Sequence, residues 1–265
     1  MGLGSKMNRV AIIQARTSSS RLPGKVLRTV CGDPMIVFML RRVAMATSVD
    51  RVLVATSFEK SDDDLADIVQ RHGYDCYRGD LVDVLARYAN AAREFGADVV
   101  VRLTADCPLV DRDLIDRAIT TLTAGDYDYV SNVDPPTFPD GLDVEAMTNR
   151  ALQMAHDTAL DASDREHVTP YIRRNKAVFR QATFHSCVDL SSLRWTVDHE
   201  DDLELVNSLI DSLQNEKASS ADRFDFLRAM DRRALDLPAN RHSRNETYIE
   251  PSEVPIDANK SRTKP

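Results

Sequence analysis

What most narrows the folds open to this chain is its repeated switch between two hydrophobic periods. Three short runs rich in branched apolar residues, "RVAIIQ" (Arg9 to Gln14), "RVLVAT" (Arg51 to Thr56) and "ADVVVRL" (Ala97 to Leu103), read as buried strands. Around and between them, apolar positions return at helical spacing. Ile36, Met39, Leu40 and Val43 follow Gly32-Asp33, and "SDDDLADIVQRHG" has an acidic first turn and a closing Gly73. Helices are also predicted over Asp83 to Phe95 and Asp111 to Leu122. Acids at a helix start and glycine at its end match the helix dipole and C-cap geometry. With "DCYRG" as a further short extended piece, this order predicts an α/β domain: one mixed, mainly parallel sheet with helices on both faces. Ligands of such sheets sit beyond the carboxyl ends of the strands, so the loops after Gln14 and Leu103 are expected to lie together.

The second half follows another pattern. "YDYVSN" and "LDVEAMT" read as strands around the turn-rich "VDPPTFPDG", as if a mixed-sheet insertion interrupts the parallel order. Helices are then predicted over Arg150 to Leu160 and Asp164 to Arg174, strands at "VFRQATF" and "LRWTV", and helices over Glu200 to Leu213 and Phe224 to Leu235. From Pro238 onward apolar residues are few and aperiodic, which predicts a flexible tail or partner-wrapping arm over 238–265. One domain over 7–237 is expected, with 127–185 as an acceptor and dimerisation sub-region. Met1 to Lys6 read as a short extension before a start at Met7.

Composition excludes several classes. No apolar run approaches the ~20 residues that span a bilayer, and the chain opens without an apolar signal core, so a cytoplasmic protein without membrane contact is expected. The net charge of -8 argues against a general nucleic-acid binder, which shows a basic face. Cys31, Cys76, Cys107 and Cys187 form no C-x-x-C pair and have no His cluster nearby, so neither zinc nor a disulfide framework is implied.

Against that acidic background the loop "ARTSSSRLPGK" stands out. Thr17 to Ser20 are small residues that let the backbone turn closely and offer hydroxyl and amide donors, while Arg16, Arg21 and Lys25 add positive charge. The combination suits a polyphosphate, although a solvated surface loop has the same composition. It is neither a G-x-x-x-x-G-K-[ST] nor a G-x-G-x-x-G loop. Asp106 and Asp198 each follow a predicted strand, so two distant segments can deliver carboxylates to one cleft, where Mg²⁺ and a phosphate chain would meet. Asp198 also fits a cap for the helix near Glu200. Arg102 and Thr104, either side of Leu103, share a strand face and could touch ribose or base, or form a polar pair at the core edge.

The string "QARTSSSRLPGKVL", followed in order by "VLVATS", "YRGDLVDVLARY", "VVRLTADCPLVD", "DYVSN", "FPDGLDVE", "REHVTPYI" and "RWTVDHEDDLELV", resembles the cytidylyltransferases that activate acidic sugars. Examples are the 3-deoxy-manno-octulosonate and acylneuraminate cytidylyltransferases. It is closer still to the branch named after spore coat polysaccharide biosynthesis protein F. The resemblance runs from about residue 8 to 235 and implies a glycosyltransferase-A-like nucleotide-binding fold and a homodimer. It implies that Ala15, Arg16, Arg21 and Lys25, with Ser20 in the same loop, embrace CTP, and that Asp106 and Asp198 bind Mg²⁺. Attack on the α-phosphorus of CTP with loss of pyrophosphate would follow, Arg16, Lys25, Asp106 and Asp198 being the catalytic set. The alternative is a metal-dependent glycosyltransferase using a nucleotide sugar, but "ADCP" carries one acid where a D-x-D would have two.

The second substrate is expected near "FPDGLDVE". Asp143 and Glu145 face one way along a strand, and Asp140 sits in the Pro-Asp-Gly turn. Carboxylates there can grip sugar hydroxyls; a plain hairpin with solvated acids has the same pattern. Arg165 and His167 near a helix start complete the expected acceptor set. Around these positions the chain departs from the sugar-acid enzymes, so sequence does not separate a hydroxyl acceptor from a phosphate or phosphonate one.

Overall fold

The computed structural model describes residues 6–213 and 218–233. In chain order the first half supplies β1 (Arg9–Gln14), a two-strand hairpin of β2 (Thr29–Val30) and β3 (Asp33–Pro34), α1 (Met35–Val43), β4 (Arg51–Ser57), α2 (Asp63–Arg71), β5 (Asp75–Gly79), α3 (Val84–Glu94), β6 (Val99–Thr104) and α4 (Arg112–Ala124). The second half adds β7 (Tyr129–Ser131), β8 (Glu145–Thr148), α5 (Asn149–Thr158), α6 (Ala162–His167), α7 (Pro170–Arg174), β9 (Gln181–Thr183), α8 (Glu200–Ser212) and α9 (Arg223–Arg233). The expected tail over 238–265 lies outside the described residues.

Seven strands form one sheet in the order β5-β4-β1-β6-β8-β7-β9. β1 pairs in parallel with both β4 and β6, and only β8 runs against its neighbours. The expected mixed, mainly parallel sheet is what the chain builds. β7, β8 and β9 extend that sheet, and the antiparallel β8 interrupts its parallel order as expected. The side-chain alternation of β1 divides the core: Ala11 and Ile13 pack under α1, α2, α4, α8 and α9, and Val10 and Ile12 under α3 and α5. Two buried faces explain why the strand runs are continuously apolar. The chain leaves β1 toward β4 on one side and later places β6 on the other, so the direction of winding reverses beside β1. A crevice opens at such a reversal. Register puts Gln14 beside Thr104, and the Ala105 amide donates to the Gln14 carbonyl at 3.0 Å, so the two loops do lie together.

Three predicted elements differ. "LRWTV" is buried but forms no strand; an isolated bridge pairs Arg194 with Asp140, and the Val197 amide donates to the Asp106 carbonyl (2.7 Å). Its apolar composition fixed burial, while its hydrogen-bond partners turned out to be loops. The helix predicted over Asp164 to Arg174 is two helices, α6 and α7, broken at Val168, whose φ of 74° no helix contains. Finally, α8 is not capped by Asp198: Asp202 accepts from the amides of Asp198 and His199, both at 2.9 Å.

Candidate active site

The loop after β1 is held in shape by a residue far from it in sequence. Asp62, fully buried ahead of α2, accepts from the Thr17 amide (2.8 Å) and hydroxyl (2.7 Å). The Gly24 amide closes the loop onto the Thr17 carbonyl at 2.9 Å. Gly24 has φ 68°, a left-handed conformation natural to glycine, and it turns the chain so that Lys25 begins a short 3-10 helix.

Lys25 reaches the centre of the site. Its Nζ donates to the Val197 carbonyl (2.7 Å) and to Asp198 Oδ1 (2.9 Å), with Asp106 Oδ2 at 3.6 Å. The residue is 8% exposed. Burial works against its charge, but Asp106 and then Asp198 outweigh that and raise its pKa. Asp198 gathers two more cations, Arg21 Nη2 at 2.7 Å and Arg194 Nη2 at 2.9 Å. Burial would push the Asp198 carboxyl up; Lys25 and Arg21 hold it well below the usual carboxylate range. Arg194 also binds Asp140 (2.9 Å) and Asp202 (3.0 Å), tying the Pro-Asp-Gly turn to the segment that carries Asp198. Gly141 permits the approach: its φ is 105°, and a Cβ there would lie 2.6 Å from the Thr196 nitrogen.

A cavity of about 330 Å³ joins these groups. Its walls include Ala15, Arg16, Ser20, Arg21 and Lys25 from the loop, Arg102, Thr104 and Asp106 from the end of β6, and Asp198. Asp140, Asp143, Glu145 and His167 line it as well. Arg102 does face the cavity but is committed: it ion-pairs with Glu145 and donates to Gln14 Oε1 (3.2 Å), and Tyr129 donates to the other Glu145 oxygen (2.5 Å). Burial opposes the Glu145 charge, yet Arg102 and the Tyr129 hydroxyl keep its pKa below normal. Thr104 lies 3.3 Å from the Cys107 thiol, which burial pushes well up.

Arg165 is the expected site residue that does not line this cavity. Its guanidinium is bound to Asp83, with Nη2 at 2.5 Å and Nε at 3.0 Å, and so fastens α6 to the start of α3. Three residues that do shape the site carry no local sequence signal: Asp62, Arg194 and Arg87. Arg87, 2% exposed on α3, lines the cavity, donates through Nη1 to the Asp80 carbonyl (2.7 Å), and has no hydrogen-bond partner at Nε. A Cβ on Gly79 would stand 3.0 Å from its Cγ, so the end of β5 is small where the arginine crosses it.

Asp106 and Asp198 offer hard oxygen donors within reach of one ammonium, a donor set suited to Mg²⁺, which keeps water and phosphate among its ligands. No group of three or more acids, histidines or cysteines apt for a metal occurs among the described residues, so protein ligands alone would not complete its shell. None of the described helices is long and apolar enough to cross a membrane.

The chain and its fold are similar to those of known proteins. The spore coat polysaccharide biosynthesis protein SpsF of Bacillus subtilis (strain 168) is 31% identical over 75% of this chain and 84% of its own length. A cytidylyltransferase structure from Leptospira borgpetersenii superposes with a TM-score of 0.83 at 28% identity, over 92% of this chain and all of the other. CMP:2-keto-3-deoxy-manno-octonic acid synthetase, solved with CTP, superposes with a TM-score of 0.63 over 78% of this chain and 99% of its own; at 19% identity that likeness speaks for the fold. The cytidylyltransferase family pattern itself matches residues 10–223. With sequence match and nucleotidyltransferase fold in agreement, this chain belongs to the cytidylyltransferase family.

Proposed function

We propose that the chain transfers CMP from CTP to a small sugar acid, sugar phosphate or related acceptor with release of pyrophosphate, supplying a surface glycan or specialised metabolite. The family carries CTP-dependent nucleotidyl transfer; the acceptor and its destination are the proposal. The observation that supports it most is the meeting of Lys25 with Asp106 and Asp198 at the mouth of the β1 loop. A site that closes three cations on Asp198 holds the positive charge a triphosphate needs, and the entering phosphates take over Arg21 and Lys25. These two residues then offset the charge that develops on departing pyrophosphate. Asp106 and Asp198 are the residues that would hold Mg²⁺, which when bound supplies further neutralisation of the phosphate oxygens. Attack in line on the α-phosphorus requires no covalent enzyme intermediate. Arg87 lines the same cavity with its buried Nε unpaired, and so offers one further donor to an acceptor atom of the bound nucleotide. A homodimer belongs to the same proposal, and sedimentation reads it as twice the chain mass of 29.7 kDa.

The test is to incubate the protein with Mg²⁺, each of the four nucleoside triphosphates, and a panel of sugar acids, sugar phosphates and phosphonates while recording pyrophosphate. CTP-selective release that depends on one acceptor and disappears in Asp106→Asn is the expected result. Cleavage of a nucleotide sugar without pyrophosphate would favour the glycosyltransferase instead.

A further inference from the structure

The break between α6 and α7 is the sharpest backbone anomaly next to the cavity. Val168 has φ 74° and ψ -55°, and the Thr169 amide donates to the His167 carbonyl at 2.9 Å. This is a three-residue γ-turn of the rare, strained hand, centred on a β-branched residue that is fully buried. Such strain persists where surrounding structure over-determines it. Both flanks are fastened here. α6 is tied to α3 through Arg165 and Asp83, and Arg174 of α7 returns to Asp164 of α6 at 2.6 Å. The turn has one visible effect: His167 lines the cavity while Thr169, two residues on, donates its hydroxyl to the buried Glu145.

The carboxylates of the cavity are mostly engaged. Asp198 holds three cations, Asp140 is bound by Arg194, and both oxygens of Glu145 are taken by Arg102 and Tyr129. A carboxylate is in general a weaker base than an imidazole, by about 2 pH units. The His167 imidazole is half-buried; desolvation and the Arg102 charge lower its pKa, against Glu166 and Asp164. It is the one imidazole among the described residues that line the cavity, and its surroundings favour the neutral ring.

We propose that His167 is the general base of the transfer and that the acceptor consequently attacks through a hydroxyl. The imidazole takes the hydroxyl proton as that oxygen bonds to the α-phosphorus, and the bond from the α-phosphorus to the bridging oxygen breaks, its electron pair leaving with pyrophosphate. A phosphate or phosphonate oxygen is already ionised at pH 7 and would leave this imidazole without a task. The inference rests on the cytidylyl-transfer reading above and adds the nucleophile class to it.

The test compares wild type with His167→Gln on two probe sets: sugar acids with a free anomeric hydroxyl, and sugar 1-phosphates or phosphonates. CTP affinity is measured in parallel by calorimetry. Expected are turnover with the hydroxyl set, a loss of about 10²–10³-fold in kcat for His167→Gln, CTP affinity within about twofold, and disappearance of the acid limb of the kcat/KM profile. Turnover only with phosphate or phosphonate probes, or a variant as fast as wild type, overturns the role of His167 and leaves cytidylyl transfer standing. A protein that does not bind CTP fails at the earlier reading, and the inference falls with it. Histidine NMR titration of the wild type, which needs no acceptor, should show His167 titrating below a free imidazole; a ring that stays charged throughout the pH range in which the enzyme turns over overturns the proposal.

Discussion

At the scale of single residues, the site is organised by buried charges whose partners are fixed. The Arg102 and Glu145 pair is the clearest case, sealed by Tyr129 and Thr169. The folded Glu145 pKa is depressed, so its contribution to stability is complete above the unfolded carboxylate value of about 4.3 and is lost as pH falls through the folded one. Glu145→Gln leaves Arg102 buried without its anion and should cost about 3–5 kcal/mol at pH 7. Its stability should also fall less steeply than wild type below about pH 4.3. Urea unfolding at pH 7 and through the acid range measures both, and parallel pH curves would remove Glu145 as the group responsible. Lys25, Asp106 and Asp198 are legible in the sequence because each follows a short apolar run in a polar or turn-rich segment, where residue type and position coincide. Arg87, Arg194 and Asp62 were not, because an arginine in a helix or an acid before one acquires its role only from residues distant in the chain.

Among the elements, short range and long range divide cleanly. β1, β4, β6 and α1 to α4 follow from hydrophobic period, with helix starts set by local acids: Asp111 caps α4 and Asp83 caps α3 through side-chain acceptors. The failures lie where one element leans on another. "LRWTV" has the composition of a strand but spends its backbone on the loops carrying Asp106 and Asp140. α6 and α7 share a helical pattern and a proline at 170, yet the break is made at Val168 by the packing around it. The contact between the Pro-Asp-Gly turn and residues 194–198 gives a specific expectation. Gly141→Ala combines an unfavourable φ with a Cβ 2.6 Å from the Thr196 nitrogen, so it should destabilise by more than about 2 kcal/mol and reduce turnover through displaced Asp140 and Arg194. An unchanged melting temperature together with unchanged turnover would show that the two segments do not meet so closely.

For the molecule as a whole, the last helix bears on the catalytic segment. Trp195, fully buried between Arg194 and Thr196, donates to the Met230 sulfur at 3.0 Å and meets Phe226 edge-on at 6.0 Å. Phe226 also lies under Arg42, whose guanidinium is buried and donates to the carbonyls of Leu109, Val110 and Ala218. Phe226→Ala should therefore cost about 3–5 kcal/mol. It should lower the melting temperature by roughly 10 °C and shift the emission of Trp195, the single tryptophan, to the red. Emission and melting both as in wild type would mean α9 contributes little to this side of the core. Local sequence was enough for the layered α/β class, for the order of strands and helices from β1 to α4 apart from the β2–β3 hairpin, and for the cations and acids that follow the apolar runs. It was enough because hydrophobic period and local turn chemistry are short-range. Tertiary structure alone decided how Arg194 joins three aspartates, how Arg87 comes to face the cavity, and how Val168 is forced into a turn that delivers His167. Those outcomes depend on close packing between segments far apart in the chain, which no local pattern encodes.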